Sequence, residues 1–303
     1  MTRRIVIFTD DPGWHGRQLK RAFARRGYAA DYLSLTDCRV DLGHASGVTI
    51  PGFEHELPDG VFVRGVPGGT LEQVTLRLDF LHLLPLLGVP VYNPVRAIEK
   101  SVDKAMTSLL LHRAGIPTPP TWVTESEAQA RALLMREIAL GHNLVLKPLF
   151  GSQGKGLMRL ASPADLPPGE AYQNVYYLQR YIGGEAGAWE DYRVLVAGGA
   201  SCAAMTRKGN SWINNVAQGA ACQPAPVDPE LSRLALDATR ALGMEYAGVD
   251  LMRDPDGRLC VLEVNSIPAW RGLQSVVKDN IAALLVNDFL DRHVIGESRE
   301  LCA

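Results

Sequence analysis

No run of apolar residues in the 303-residue chain approaches membrane-spanning length. The first apolar stretch, Ile5 to Phe8, stops at Asp10-Asp11 and is too short for a secretory signal. A membrane partner is therefore not expected. Surplus positive charge is also missing, with a formal net charge of -2 and a pI near 6.4. Lys and Arg are scattered apart from a helical cluster between Arg17 and Arg26 that reads as a solvated face, so no nucleic-acid partner is expected either. Cysteine is sparse. Cys38, Cys202, Cys222, Cys260 and Cys302 show neither CxxC nor zinc-ligand spacing, which argues for a reduced cytoplasmic protein without a disulfide framework. Two nucleotide signatures are absent as well. The loop after the first strand lacks GxGxxG, and the glycine-rich stretch near residue 151 fails Walker A spacing and has no Ser or Thr after Lys155.

What is present points to several α/β lobes, since a chain of this length exceeds one small domain. RRIVIFT reads as a buried strand, the stretch from His15 to Arg26 as a helix, GVFVRG and VPVYN as further strands, and Leu71-Val74-Leu78-Leu81 as a helical stripe. This alternation predicts a small parallel-sheet domain over residues 1–95. The loop DDPGWHG lies at the carboxyl end of the first strand, where open α/β sheets bind ligands. Trp14 and His15 are placed there to touch a substrate, and packing on their own domain is the alternative that accounts for them without one. The stretch from Ala29 to Gly60 is poorly patterned.

From Ser101 the pattern changes. SVDKAMTSLLLHRAGIPTPPTW predicts a helix with Ser101 as N-cap and Gly115 as its stop. Lys104 falls in the first turn, where a cation opposes the helix dipole, so an anion is one reason for it and a plain surface lysine another. Next comes NLVLKPLFGSQGKGLMRL, a strand ending in Lys147, a loop with Gly151, Gly154 and Gly156, and a second strand. Glycines let backbone N–H groups approach phosphates, and a lysine aimed inward from an apolar strand needs a negative partner. A surface turn beside a snorkelling lysine fits the same residues. Three strand candidates follow, NVYYLQRYI, DYRVLVAGG and SCAAMTRK, then an amide-rich segment and a packing helix from Pro229 to Leu242 with Leu231, Leu234 and Leu242 on its stripe. The end of the first of these strands is suited to an adenine slot, where backbone groups pair with the purine edge and Tyr and Ile wall the ring.

The last informative stretch is AGVDLMRDPDGRLCVLEVN, from Ala247 to Asn265. Asp256-Gly257 suits a two-residue type I′ hairpin loop. Counted outward, Met252 then faces Val261, and Asp250 faces Glu263 with Asn265 on the same face. Opposed carboxylates repel unless a cation sits between them. Hard oxygen ligands suit Mg²⁺, although a solvated polar face is open on these residues alone.

In this order, DKAMTSLLLHRAGIPTPPT, LVLKPLFGSQGKG, YLQRYI, DYRV, MTRK with WINN and QGA, AGVDLM and VLEVNSIPAWRGL resemble the ATP-grasp superfamily. More narrowly, they look like the RimK-like glutamate ligases, a group that includes enzymes modifying ribosomal protein S6 and pterin or coenzyme glutamate ligases. The resemblance implies an ATP-grasp fold, α/β with α+β grasp lobes, preceded by the parallel-sheet domain. It puts a small lobe with the glycine-rich flap at residues 96–180 and a metal-bearing lobe at 181–303. It implies that Lys104 and Lys147 bind ATP, that Gly151, Ser152, Gly154 and Gly156 cover the phosphates, and that Arg180, Tyr181 and Ile182 form the adenine hinge. Asp191 would lie near the ribose, Arg207 beside the transferred phosphoryl group, and Asn215 in the nucleotide-metal cluster. Asp250, Glu263 and Asn265 would hold two Mg²⁺ ions, for which Mn²⁺ could substitute.

The implied reaction activates a carboxylate with ATP as an acyl phosphate, which an amine, expected to be glutamate, then attacks, with Lys147 and Arg207 neutralising the approaching anions. Pro268-Ala269-Trp270 departs from the familiar Pro-Gly-Leu of such ligases. Arg271, Trp270 and Arg64 are the candidates for the acceptor carboxylate, because an arginine fork binds one bidentately. A non-catalytic nucleotide-binding module and an ATP-grasp ligase of another substrate class are the alternatives, and assembly into a homo-oligomer stays open.

Overall fold

A computed structural model of the chain describes residues 3–151, 154–183, 189–214 and 219–295. Ser152 and Asn215, both expected at the nucleotide, lie outside the described residues, as does Cys302. Two compact units divide the chain: residues 1–98 with 267–303, and residues 99–266. The stretch from Ile267 onward therefore joins the first unit and does not continue the expected 181–303 lobe.

The first unit holds a parallel sheet in the order Ala29–Leu33, Arg4–Phe8, Gly60–Val63, Val91–Tyr92. Ile5, Val6, Ile7 and Phe8 are wholly buried, as a central parallel strand covered on both faces requires. Val6, Phe8, Val61 and Val63 pack with Phe80, Leu81 and Leu84 of the Leu71–Leu86 helix. That helix leaves Leu71 80 % exposed, so its buried stripe begins later than the sequence spacing suggests. On the other face Phe23 of the Gly13–Arg25 helix and Phe289 of the Ile281–Phe289 helix meet Phe62 edge to face. A Cβ on Gly60 would come within 2.7 Å of the Phe289 ring, so the glycine makes room for that helix. The Ala29–Leu33 strand and the short Arg39–Val40 and Val48–Thr49 pair lie in the poorly patterned stretch.

The second unit carries two antiparallel sheets. The smaller runs Thr121–Thr124, Tyr176–Arg180, Leu144–Lys147, Met158–Leu160, backed by Ala130 and Leu134 of the Glu127–Ala139 helix. The larger runs Ala221–Pro224, Ala200–Gly209, Trp189–Ala197, Tyr246–Arg253, Leu259–Asn265. The Pro229–Leu242 helix buries Leu231, Leu234, Ala235, Ala238 and Leu242, matching the sequence reading, and closes on Gly243 at φ 74°.

The helix expected to begin at Ser101 is two helices, Val95–Val102 and Lys104–Arg113. Asp103 caps the second, its Oδ1 accepting from the Ala105 and Met106 amides at 2.8 and 3.1 Å. Ser101 instead ends up inside the first helix and donates to Ser266 Oγ at 2.7 Å. Among the described residues no helix is long and apolar enough to cross a membrane.

Candidate active site

The Tyr246–Arg253 and Leu259–Asn265 strands form the expected hairpin, with Asp250 opposite Glu263 and Gly248 opposite Asn265. The route to that pairing differs. Asp254 N donates to the Arg258 carbonyl at 2.8 Å and Gly257 N to the Asp254 carbonyl at 2.9 Å, so the loop is Pro255-Asp256-Gly257, with Gly257 left-handed at φ 81°. Asp254 Oδ1 also accepts from the Asp256 and Arg258 amides at 3.0 and 2.9 Å, an Asx turn that draws the loop one residue earlier. Met252 thus faces Cys260, not Val261, and a bulge at Leu262 restores the Asp250–Glu263 pair.

Asp250 is held by two arginines. Arg193, its direct cross-strand partner, grips both carboxylate oxygens, with Nη2 to Oδ2 at 2.8 Å. Arg207 Nη2 lies 3.0 Å from Asp250 Oδ1, while its Nε donates to Asp191 Oδ1 at 2.5 Å. Two acids and two bases thus span three strands in one buried group. Burial works against the Arg207 charge, yet Asp250 and Asp191 more than offset it and hold the guanidinium protonated. Burial pushes the Asp191 carboxyl above the usual carboxylate range, against the pull of Arg207 and with a further push from Asp250. Asp191 is only 3 % exposed. Its carboxylate is engaged by the Arg207 Nε. Arg193, which sequence reasoning left out of the candidate site, belongs to this cluster.

The residues fit a hard divalent cation. Asp250, Glu263 and Asn265 share a face by strand alternation. Asn265 Nδ2 donates to the Gly248 carbonyl at 3.4 Å, which engages the donor end of the amide and leaves its oxygen for a cation. Among the described residues no group of three or more His, Cys, Asp or Glu forms a metal cluster. Two carboxylates and one amide suit Mg²⁺, which completes its octahedron with water and phosphate oxygens.

Both lysines belong to this neighbourhood. Lys147 ends the Leu144–Lys147 strand half-buried, and its Nζ donates to Gln179 Oε1 at 2.6 Å. Burial lowers its pKa to about 8, with Glu263 pulling it back up and Lys104 pressing it down. Burial likewise lowers that of Lys104, against Glu263 and Asp103. Lys104 Nζ donates to the Gly151 carbonyl at 2.8 Å and reaches that of Leu149 at 3.4 Å, so it ties down the start of the glycine-rich loop. In that loop Gly154 and Gly156 are left-handed, both at φ 72°, and a Cβ on Gly156 would meet Pro148 at 2.8 Å.

At the expected hinge the Arg180 and Tyr181 amides are engaged by the Pro120 and Asn143 carbonyls at 2.8 and 2.9 Å. The Arg180 side chain binds the buried Glu137 at 2.7 Å. Of the three residues expected at the hinge, Arg180 and Tyr181 thus have their amides engaged within the protein. The Tyr181 ring carries the Arg159 guanidinium 4.2 Å from its centroid and meets Trp212 edge-on at 6.2 Å, while its hydroxyl accepts from Trp189 Nε1 at 3.1 Å. Sequence reasoning missed Arg159, Trp189 and Trp212. The two tryptophans flanking the Asp191–Arg207 segment were the available signal.

In the first unit, Trp270 is 1 % exposed. Arg64 lies over its indole, 4.6 Å from the centroid, and donates from Nη1 to the Pro268 carbonyl at 3.0 Å. Arg64 and Trp270 thus pack on each other, and Arg271, next along the chain, is exposed.

The model of the RimK-like ATP-grasp domain matches residues 101–289. A tetrahydromethanopterin:alpha-L-glutamate ligase of Methanocaldococcus jannaschii is 34 % identical over 274 residues, covering 87 % of this chain and 90 % of the relative. The enzyme of the same name from Methanococcus maripaludis is 34 % identical over 236 residues, 76 % of this chain and 78 % of its own. Among solved structures, the ATP-grasp ligase PsnB in complex with a precursor variant, Mg and ADP superposes with a TM-score of 0.74 at 20 % identity, covering 96 % of this chain and 98 % of that one. A RimK domain protein from Sphaerobacter thermophilus gives 0.66 at 22 % identity, covering 94 % and 98 %. At such identities the structures speak for the fold. The family match and the two curated relatives carry the rest: the chain belongs to the RimK-like ATP-grasp family and is an ATP-grasp ligase.

Proposed function

We propose that the protein joins the amino group of L-glutamate to a carboxylate acceptor of the tetrahydromethanopterin type, using ATP and passing through an acyl phosphate. The observation that carries this reading is Asp250 paired across the hairpin with Glu263 while Lys104, Lys147 and Arg207 crowd the same part of one unit. These carboxylates and cations, with Arg193 on Asp250, form a charge-dense cluster suited to polyphosphate and its metal. The acceptor is assigned from the curated relatives, whose names specify that pterin.

Asp250, Glu263 and Asn265 would hold two Mg²⁺ ions, replaceable by Mn²⁺, which on binding neutralise phosphate charge and draw the nucleotide and acceptor anions together. The chain's own groups do the remaining work. Lys147 and Lys104 bind phosphate oxygens, and Lys104 must exchange its Gly151 carbonyl for one of them. Arg207, held in register by Asp191, meets the oxyanion that develops as the amine attacks the acyl carbon. Arg271 receives the acceptor carboxylate as a planar fork. No protein nucleophile is needed: burial raises Cys38, Cys222 and Cys260 above the ordinary thiol range, away from the thiolate form. Free thiols at Cys38, Cys202, Cys222 and Cys260 fit a reducing cytoplasm.

The test is ADP release with Mg²⁺, L-glutamate and tetrahydromethanopterin, the acceptor carboxylate labelled with oxygen-18. The expected result is glutamate-dependent ADP formation with label in the released phosphate. Unlabelled phosphate would exclude the acyl phosphate, and ADP release indifferent to the pterin would exclude this acceptor.

A further inference from the structure

The four-residue helix Arg271–Gln274 has no side-chain cap, because the residue at its N-cap, Trp270, carries no oxygen to accept an amide. Its orphan donors are taken by another element. His15, in the first turn of the Gly13–Arg25 helix, accepts from the Trp270 and Arg271 amides through Nε2 at 3.1 and 3.2 Å. The two rings meet edge to face with centroids 4.7 Å apart. Arg64 fixes the other end through the Pro268 carbonyl and the outer surface of the indole. The segment 268–270 is thus clamped from both sides, and the exposed Arg271 side chain leaves from its end.

We propose that His15 is a positioning residue for the ligase reaction, a neutral acceptor that fixes the backbone at Arg271 without neutralising its guanidinium, so that the acceptor carboxylate meets one orientation of a fully charged fork. The proposal rests on the assignment of Arg271 given above.

The chemistry explains the residue type. A carboxylate at position 15 would satisfy the same two amides, but it would also stand beside Arg271 as a permanent competitor for the substrate anion. Imidazole avoids this only as the Nδ1–H tautomer, with the Nε2 lone pair facing the amides. The surroundings keep it in that state: burial first, then Arg64 and Arg271, lower its pKa to about 4. The positive end of its own helix acts in the same direction.

Three variants of the full chain separate positioning from plain capping, because Gln and Glu both place an oxygen near the position of Nε2. Hydrogen exchange reads the Trp270 and Arg271 amides, and steady-state kinetics with tetrahydromethanopterin, L-glutamate and ATP reads KM. His15→Ala should lose protection at both amides and raise the pterin KM about tenfold while ATP KM stays within about twofold. His15→Gln should restore both readouts. His15→Glu should restore protection yet keep the pterin KM high. Equal pterin KM for the Gln and Glu variants would reduce His15 to a structural cap, and unchanged protection in His15→Ala would overturn the proposal outright. Failure of the wild type to turn over this pterin counts against the acceptor assignment; His15 is then judged by exchange alone, on the same criterion.

Discussion

Arg193 and Asp250 are direct partners on adjacent strands, and the guanidinium of one grips both carboxylate oxygens of the other. A bidentate ionic contact of this kind is among the stronger hydrogen-bonded pairs. Here it is buried, and Arg207 shares the same carboxylate. Replacing Arg193 by Met should therefore destabilise the ligand-free protein by about 3 kcal/mol, the lower end of the range for breaking a buried pair, because Arg207 still compensates Asp250. Urea unfolding without nucleotide measures it, and an unchanged midpoint would contradict the assigned role.

Glu263→Gln removes a charge at constant size. The protein should fold with wild-type secondary structure and lose Mg²⁺-dependent ADP formation by at least about a hundredfold, the scale of losing one preorganised electrostatic group. Circular dichroism and a coupled ADP assay check this together. Near-normal turnover would remove Glu263 from the metal set.

Lys147→Met should weaken nucleotide binding far more than Lys155→Met. Lys147 is half-buried beside Gln179 with Glu263 in electrostatic range, whereas Lys155 is exposed on the glycine-rich loop. Titration calorimetry with a non-hydrolysable ATP analogue compares them, and equal affinities would return Lys147 to a structural role.

Stability should fall as pH drops from about 6.5 toward about 4, because in that window the unfolded chain takes up a proton on His15 that the folded chain refuses. Above the ordinary histidine value neither state is protonated and His15 adds no slope. Since the ring is only half-buried, solvent will blunt the effect. Melting temperatures of wild type and His15→Gln between pH 7.5 and 5 should converge at the acid end, with the steeper decline in the wild type. Parallel curves would show that His15 does not titrate as its surroundings imply.

How much was legible in the sequence depended on how local the signal was. The Pro229–Leu242 helix carried its periodicity, its aspartate cap and its glycine stop within one window, and it was read to the residue. Asp250 and Glu263 were paired correctly although the turn was placed one residue late, because the bulge at Leu262 cancelled the error. Asp103 was overlooked as a cap because Ser101 offered an equally good local signal, and the choice was made by packing: Ser101 is drawn to Ser266, far away in the chain. The surroundings of Asp191 and Trp270 were hidden for the same reason in stronger form. Their roles depend on Arg207 and on Arg64 and His15, partners brought close only by folding.

The bulge at Leu262 separates the hairpin into an inner half, which fixes the distance between Asp250 and Glu263, and an outer half, which answers only to its loop. It works as an expansion joint. Changes in the length or composition of the segment around Asp254 to Arg258 fall outside the joint and leave both carboxylates on the shared face. The same insertion placed on the other side of the joint, between Leu262 and Asn265, would turn alternate side chains over and dismantle the ligand set in one step.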